Sequence, residues 1–137
     1  MKILVRYFSK LGHTKDIAMA MGEELGVEGK SITEESELLE EADILFLGGA
    51  PYANVMDDKL RRYANNLTPD KARLVVLFTT SNWSRRTVRA LRKILRGKGI
   101  AVHEDYFYAH MLNIPNRIPE ARKFARRVVG EIEGSEK

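Results

Sequence analysis

The sequence contains no cysteine, which excludes disulfides, thiolate metal sites, iron–sulfur clusters and cysteine nucleophiles. Redox chemistry in such a chain needs a bound cofactor. No apolar run approaches the roughly 20 residues of a membrane span, so no membrane partner is expected. The N-terminus leads straight into a strand with no cleavable signal pattern, and a cytoplasmic protein is expected. The three histidines, His13, His103 and His110, are far apart and lack the spacing of a local metal motif, so no metal site is expected. A Walker A lysine loop and a Gly-x-Gly-x-x-Gly fingerprint are both missing.

What remains is 137 residues of mixed composition, enough to bury one independent core and too few for a second. One domain over residues 1–133 is expected, with a short polar tail at 134–137. The net charge of +4 hides an asymmetry. Residues 1–70 carry 8 basic and 13 acidic side chains, whereas residues 71–137 carry 15 basic and 6 acidic. A basic half of this kind suits an acidic protein partner. Nucleic acid is disfavoured, because aromatic interleaving and a known binding module are absent.

Hydrophobic patterning predicts five strands alternating with helices. The strands are placed at residues 2–7, 27–33, 44–47, 74–78 and 100–107. Helices are placed at 14–25, 85–96 and 119–133, and another follows the loop at 50–55 with Met56, Leu60, Tyr63 and Leu67 as its core face. The glutamate-rich stretch 34–41 reads as a solvated surface holding at most a short helix. Such alternation implies an α/β fold, a doubly wound parallel sheet covered on both faces, because right-handed crossovers distribute helices to its two sides. Ligands of these sheets bind beyond the carboxyl ends of the strands. That rule selects three loops, those after the first, third and fourth strands.

The first loop, Ser9-Lys10-Leu11-Gly12-His13-Thr14, joins a buried strand to a helix start. Unpaired backbone N–H groups, small hydroxyls and the positive end of the helix dipole together make an anion site, most naturally for phosphate. The second loop carries Pro51, Tyr52, Ala53 and Asn54, and the third carries Thr79, Thr80, Ser81, Asn82 and Trp83. Two aromatics on independent loops could hold a flat ring whose polar edge meets backbone groups.

Ser-x-x-Gly-x-Thr after an N-terminal strand resembles the phosphate loop of the flavodoxins, where Ser/Thr-x-Thr-Gly-x-Thr wraps the phosphate of flavin mononucleotide (FMN). Leu-Gly-Gly-Ala-Pro-Tyr after the third strand resembles the segment that carries one wall of their flavin site. The chain is thus similar to a short-chain flavodoxin over nearly its whole length. The resemblance implies a five-stranded sheet in the order 2-1-3-4-5 within three layers, and non-covalent FMN as cofactor. It implies Ser9, Lys10, Gly12, His13 and Thr14 on the phosphate, with Leu11 where the family has a hydroxyl. Pro51, Tyr52, Ala53 and Asn54 would then line one ring face and residues 79–83 the other. Asn54 stands in for the glycine that the family commonly has near the ring. The function implied is electron transfer to a redox partner protein with an acidic surface, by a monomer or weak dimer without catalytic side chains of its own. Two alternatives share the scaffold. One is a small FMN-dependent NAD(P)H or quinone reductase, for which these short loops leave little cavity. The other is an interaction module that has lost its flavin.

Overall fold

The computed structural model describes residues 1–52 and 55–135. Its centre is a parallel sheet of β1 (Ile3–Tyr7), β2 (Gly29–Ser31), β3 (Ala42–Gly49), β6 (Ala72–Ser81) and β7 (Ala101–His110). The strand order is β2-β1-β3-β6-β7. This is the expected 2-1-3-4-5 arrangement, because β4 (Pro51–Tyr52) and β5 (Val55–Met56) form a separate two-stranded antiparallel sheet.

Both faces of the sheet are apolar, so alternate residues of one strand feed two different cores. Val5, Ile44, Phe46, Val76 and Phe78 pack beneath α1 (His13–Leu25) and α4 (Ile114–Ser135), which contribute Ile17, Met21, Ala125 and Val128. Leu4, Leu45, Leu47, Val75 and Leu77 pack beneath α2 (Asp58–Asn65) and α3 (Arg86–Gly97), which contribute Leu60, Tyr63, Leu91 and Leu95. Three layers result. Gly48 leaves room in the sheet for the side chain of its neighbour in β6, since a Cβ there would lie 2.2 Å from the Phe78 ring. No helix among the described residues is long and apolar enough to cross a membrane.

The differences from the sequence reading lie at element ends. Residues 34–41 hold no helix, within the expected limit of at most a short one, but the stretch is not wholly solvated. Leu38 is buried, and Glu35 pairs with Arg6, whose side chain is only 1 % exposed. Leu60 and Tyr63 project from α2 as expected, but Met56 comes from β5 and Leu67 follows the helix; all four are buried. Asp57 caps α2 by accepting from the Lys59 N–H at 2.8 Å. α4 starts at Ile114, ahead of the expected 119, and reaches Ser135, so Gly134 and Ser135 are helical rather than tail. Pro119 lacks an N–H, but it lies early in the helix and its nominal acceptor is the carbonyl of Pro115 in the first turn, so only one bond of the helix is lost.

Candidate functional site

β1, β3 and β6 end at the same edge of the sheet, and the loops that follow them converge there. Phe8 extends the sheet by donating its N–H to the Gly48 carbonyl at 3.0 Å. Gly12 then takes a left-handed conformation, φ 93°, and becomes the N-cap of α1 without any side-chain cap. Among the described residues, the backbone N–H groups of Leu11, His13, Thr14 and Lys15 meet no acceptor. Four donors at a helix N-terminus make a preformed anion cradle.

Two other amides of the loop are already engaged. The Lys10 N–H donates to the Tyr52 hydroxyl at 2.6 Å, and the Gly12 N–H donates to Ser9 Oγ at 3.0 Å. Tyr52 is thereby tied to the first loop; its ring meets Phe8 edge-on and carries the Lys10 ammonium 4.6 Å from its centroid. Asp57 holds the same ammonium at 3.4 Å. Beside the open amides lies a cleft of about 40 Å³, lined chiefly by Ser9, Leu11, Thr14, Pro51, Tyr52 and Thr80. By the measure that one water needs roughly 10–15 Å³, it has room for a small polyatomic anion but not for a ring system.

The third loop is shorter than the sequence implied. Thr79, Thr80 and Ser81 belong to β6 and are buried. The strand continues because β7 runs beside it as far as His110 and because each hydroxyl has a partner. Thr79 Oγ1 donates to the Gly49 carbonyl at 2.6 Å, Thr80 Oγ1 shares a 2.8 Å bond with Thr14 Oγ1, and Ser81 Oγ donates to the Ser84 carbonyl at 2.6 Å. The Thr14–Thr80 bond ties the start of α1 to the end of β6. Only Asn82 and Trp83 of this group face solvent.

Trp83 is 73 % exposed and has a φ of 75°, an uncommon value for a bulky residue. Three contacts hold it there. Its N–H donates to the Tyr108 hydroxyl, its carbonyl accepts from Arg85, and its ring meets His110 at 4.8 Å. His110 Nδ1 accepts the Leu112 N–H, so Nε2 carries the proton and donates to Asn82 Oδ1 at 2.7 Å. Leu11, Val55, Trp83 and Leu112, each more than half exposed, all lie at this end of the sheet. Ala53 and Asn54 lie outside the described residues.

Neither the protein-family models nor the curated proteins contain a match to this sequence. Solved structures do match. A flavodoxin from the domain Archaea superposes with a TM-score of 0.78 at 18 % identity, covering 97 % of this chain and 99 % of that one. The fold is flavodoxin-like. Oxidised flavodoxin 1 of Bacillus cereus gives a TM-score of 0.78 at 16 % identity over 95 % of this chain and 98 % of that one. The Fusobacterium nucleatum flavodoxin bound to flavin mononucleotide gives 0.72 at 16 % identity, over 96 % and 99 %. In the flavodoxin-like frame, the open amides and the exposed indole stand at the end of the sheet where its topology switches direction between β1 and β3.

Sequence reasoning missed two features of the site. The mutual Thr14–Thr80 bond joins residues 66 apart, and no local pattern announces such a pairing. Tyr108 and Arg85, which support Trp83, read as ordinary strand and helix residues. Elsewhere, His103, Asp105 and Glu131 bring ligand atoms within 4.8 Å of one another, but Arg127 already lies against both carboxylates, at 3.2 and 2.8 Å.

Proposed function

We propose that this protein binds FMN non-covalently and transfers electrons to a partner protein. The observation that carries the reading is the set of four backbone amides, those of Leu11, His13, Thr14 and Lys15, that meet no acceptor among the described residues, beside a cleft of about 40 Å³. The residues present fit a phosphate with one hydroxyl donor fewer than a flavodoxin loop supplies, since Leu11 offers none, while the Ser9 hydroxyl accepts from Gly12 and keeps its own O–H to donate. The helix dipole and the backbone donors would do most of the holding. The buried Thr14–Thr80 pair keeps those donors aimed at one point.

A ring attached to that phosphate would lie outside the cleft, across the exposed apolar side chains of the mouth. Trp83 supplies the largest of these, and its strained backbone keeps the indole away from the core. Bound flavin supplies one- and two-electron chemistry. The protein's own contribution is to bind, orient and partly cover it. No side chain is assigned a proton-transfer role, so an electron carrier is favoured over an enzyme with its own substrate.

Titration of the purified chain with FMN, followed by quenching of flavin fluorescence, tests this directly. FMN should quench and saturate, and riboflavin, which lacks the phosphate, should bind at least tenfold more weakly, the loss expected for about 1.4 kcal/mol of phosphate contacts. Equal affinity for the two would remove the phosphate loop from the account. Absence of quenching by either would leave a flavodoxin-like interaction module.

A further inference from the structure

One edge strand of the sheet is β7, and its surroundings are unlike those of the loops proposed to hold flavin. Two steps along β6, from Val75 to Leu77, run opposite four steps along β7, from Val102 to Tyr106, so the edge bulges. Arginines from both helical layers reach its main chain. Arg92 from α3 donates to the Glu104 carbonyl and Arg117 from α4 donates to the Tyr108 carbonyl, at 3.1 and 3.0 Å. These bonds and the bulge stop another strand from adding to the edge. Beyond them lies a groove of about 890 Å³ between β7 and α4.

Arg85 and Arg117 dominate that groove. The Arg85 guanidinium lies flat on the Tyr108 ring, 3.4 Å from its centroid, and donates to the Tyr106 hydroxyl and the Trp83 carbonyl. Arg117 lies 4.8 Å from the centroid of Phe107. Neither has a carboxylate partner among the described residues. By contrast, Lys123 is paired with Glu120 and Arg127 with Asp105. Two preorganised cations, one on the ring of Tyr108 and one on its carbonyl, therefore remain uncompensated among the described residues. An arginine held by stacking loses little freedom when it binds an anion.

We propose that this groove receives an acidic segment of a partner protein, with carboxylates on Arg85 and Arg117. α4 lines the groove from Arg117 to Arg127, about 15 Å of helix, which matches four or five residues of extended chain. Bases of a nucleic acid need free aromatic faces. Here Arg85 covers Tyr108, while Arg92 and Arg127 lie over Tyr106 and Phe124. The carboxylates of Asp105 and Glu120 also interrupt the positive surface, which suits discrete side-chain charges better than a continuous phosphate backbone. The proposal stands apart from the flavin reading and survives its failure.

The test is fluorescence anisotropy of a labelled short polyglutamate peptide titrated with the full chain, beside a labelled single-stranded oligonucleotide of the same charge and with inorganic pyrophosphate as competitor. The peptide should bind more tightly than the oligonucleotide, and Arg117→Gln should weaken it about tenfold, as loss of one charge-assisted contact does. The double variant Lys123→Glu/Arg126→Glu changes exposed side chains on the same face. It should abolish peptide binding even if Arg117→Gln fails to fold. Circular dichroism checks each variant. Tighter binding of the oligonucleotide, displacement of the peptide by equimolar pyrophosphate, no peptide binding, or wild-type affinity in the folded double variant would each overturn the proposal.

Discussion

Glu35→Ala will lower the unfolding free energy by about 3–5 kcal/mol, the cost of leaving a buried charge without its partner. Arg6 lies in the interior strand β1, between β2 and β3, with its side chain 1 % exposed. Its Nε and Nη2 donate to Glu35 at 3.0 and 3.4 Å, and Nη1 donates to the Val5 carbonyl at 2.9 Å. Glu35 is thus the principal counter-charge of a cation on the same face of the strand as Leu4 and Phe8, with the Tyr63 hydroxyl beside it. Burial also pushes the pKa of the neighbouring Tyr63 hydroxyl up, against the pull of Arg6, so that group stays neutral and offers no compensating charge. The double variant Arg6→Met/Glu35→Leu should recover most of the loss, because an apolar pair of similar volume needs no desolvation. Urea unfolding of the three proteins decides it. A loss below about 1 kcal/mol in the single variant would mean that the pair behaves as an exposed one.

Leu11→Thr should tighten FMN binding by about 10- to 100-fold and leave riboflavin unchanged. A hydrogen bond to a charged group contributes roughly 1.5–3 kcal/mol, and this position lies between the engaged Lys10 amide and the left-handed Gly12. Leu11 is 67 % exposed, so the change removes little packing. Its own N–H already joins the open amides. Fluorescence titration of both flavins against both proteins provides the comparison. An unchanged FMN affinity in a variant whose wild type binds would mean that the phosphate lies closer to the α1 amides than to side chain 11.

The layers of this fold are legible in the sequence because the physics behind them is local and repeated. Ile44 to Leu47 and Leu74 to Phe78 are continuous apolar runs, which only a strand buried on both faces requires. Ile17, Met21 and Leu25 recur at helical spacing, which only a half-buried helix requires. Element ends depend instead on distant partners. Thr79 to Ser81 looked like a loop because hydroxyls favour turns, yet each finds an acceptor or donor from another segment. Residues 114–118 fall ahead of the helix expected from 119, because Pro115 favours a connecting loop, yet α4 tolerates both Pro115 and Pro119 near its start. The site is legible in the same uneven way. Gly12 and Thr14 follow from the strand–turn–helix pattern, whereas the tie from Tyr52 to Lys10 and the props under Trp83 exist only once the chain is folded. Arg6 was the hardest to foresee, since nothing in a run such as Val5-Arg6-Tyr7 says that its counter-ion lies 29 residues on.

The chain has a single tryptophan, and it stands in solvent with its ring edge against an imidazole. That makes Trp83 a built-in optical reporter for the mouth of the sheet. Its emission should resemble that of free indole in water, and anything that covers the ring should shift it to the blue or extinguish it. Dye-free spectroscopy can therefore follow the loop at residue resolution. A spectrum that is already blue in the isolated protein would reveal a neighbour over the ring.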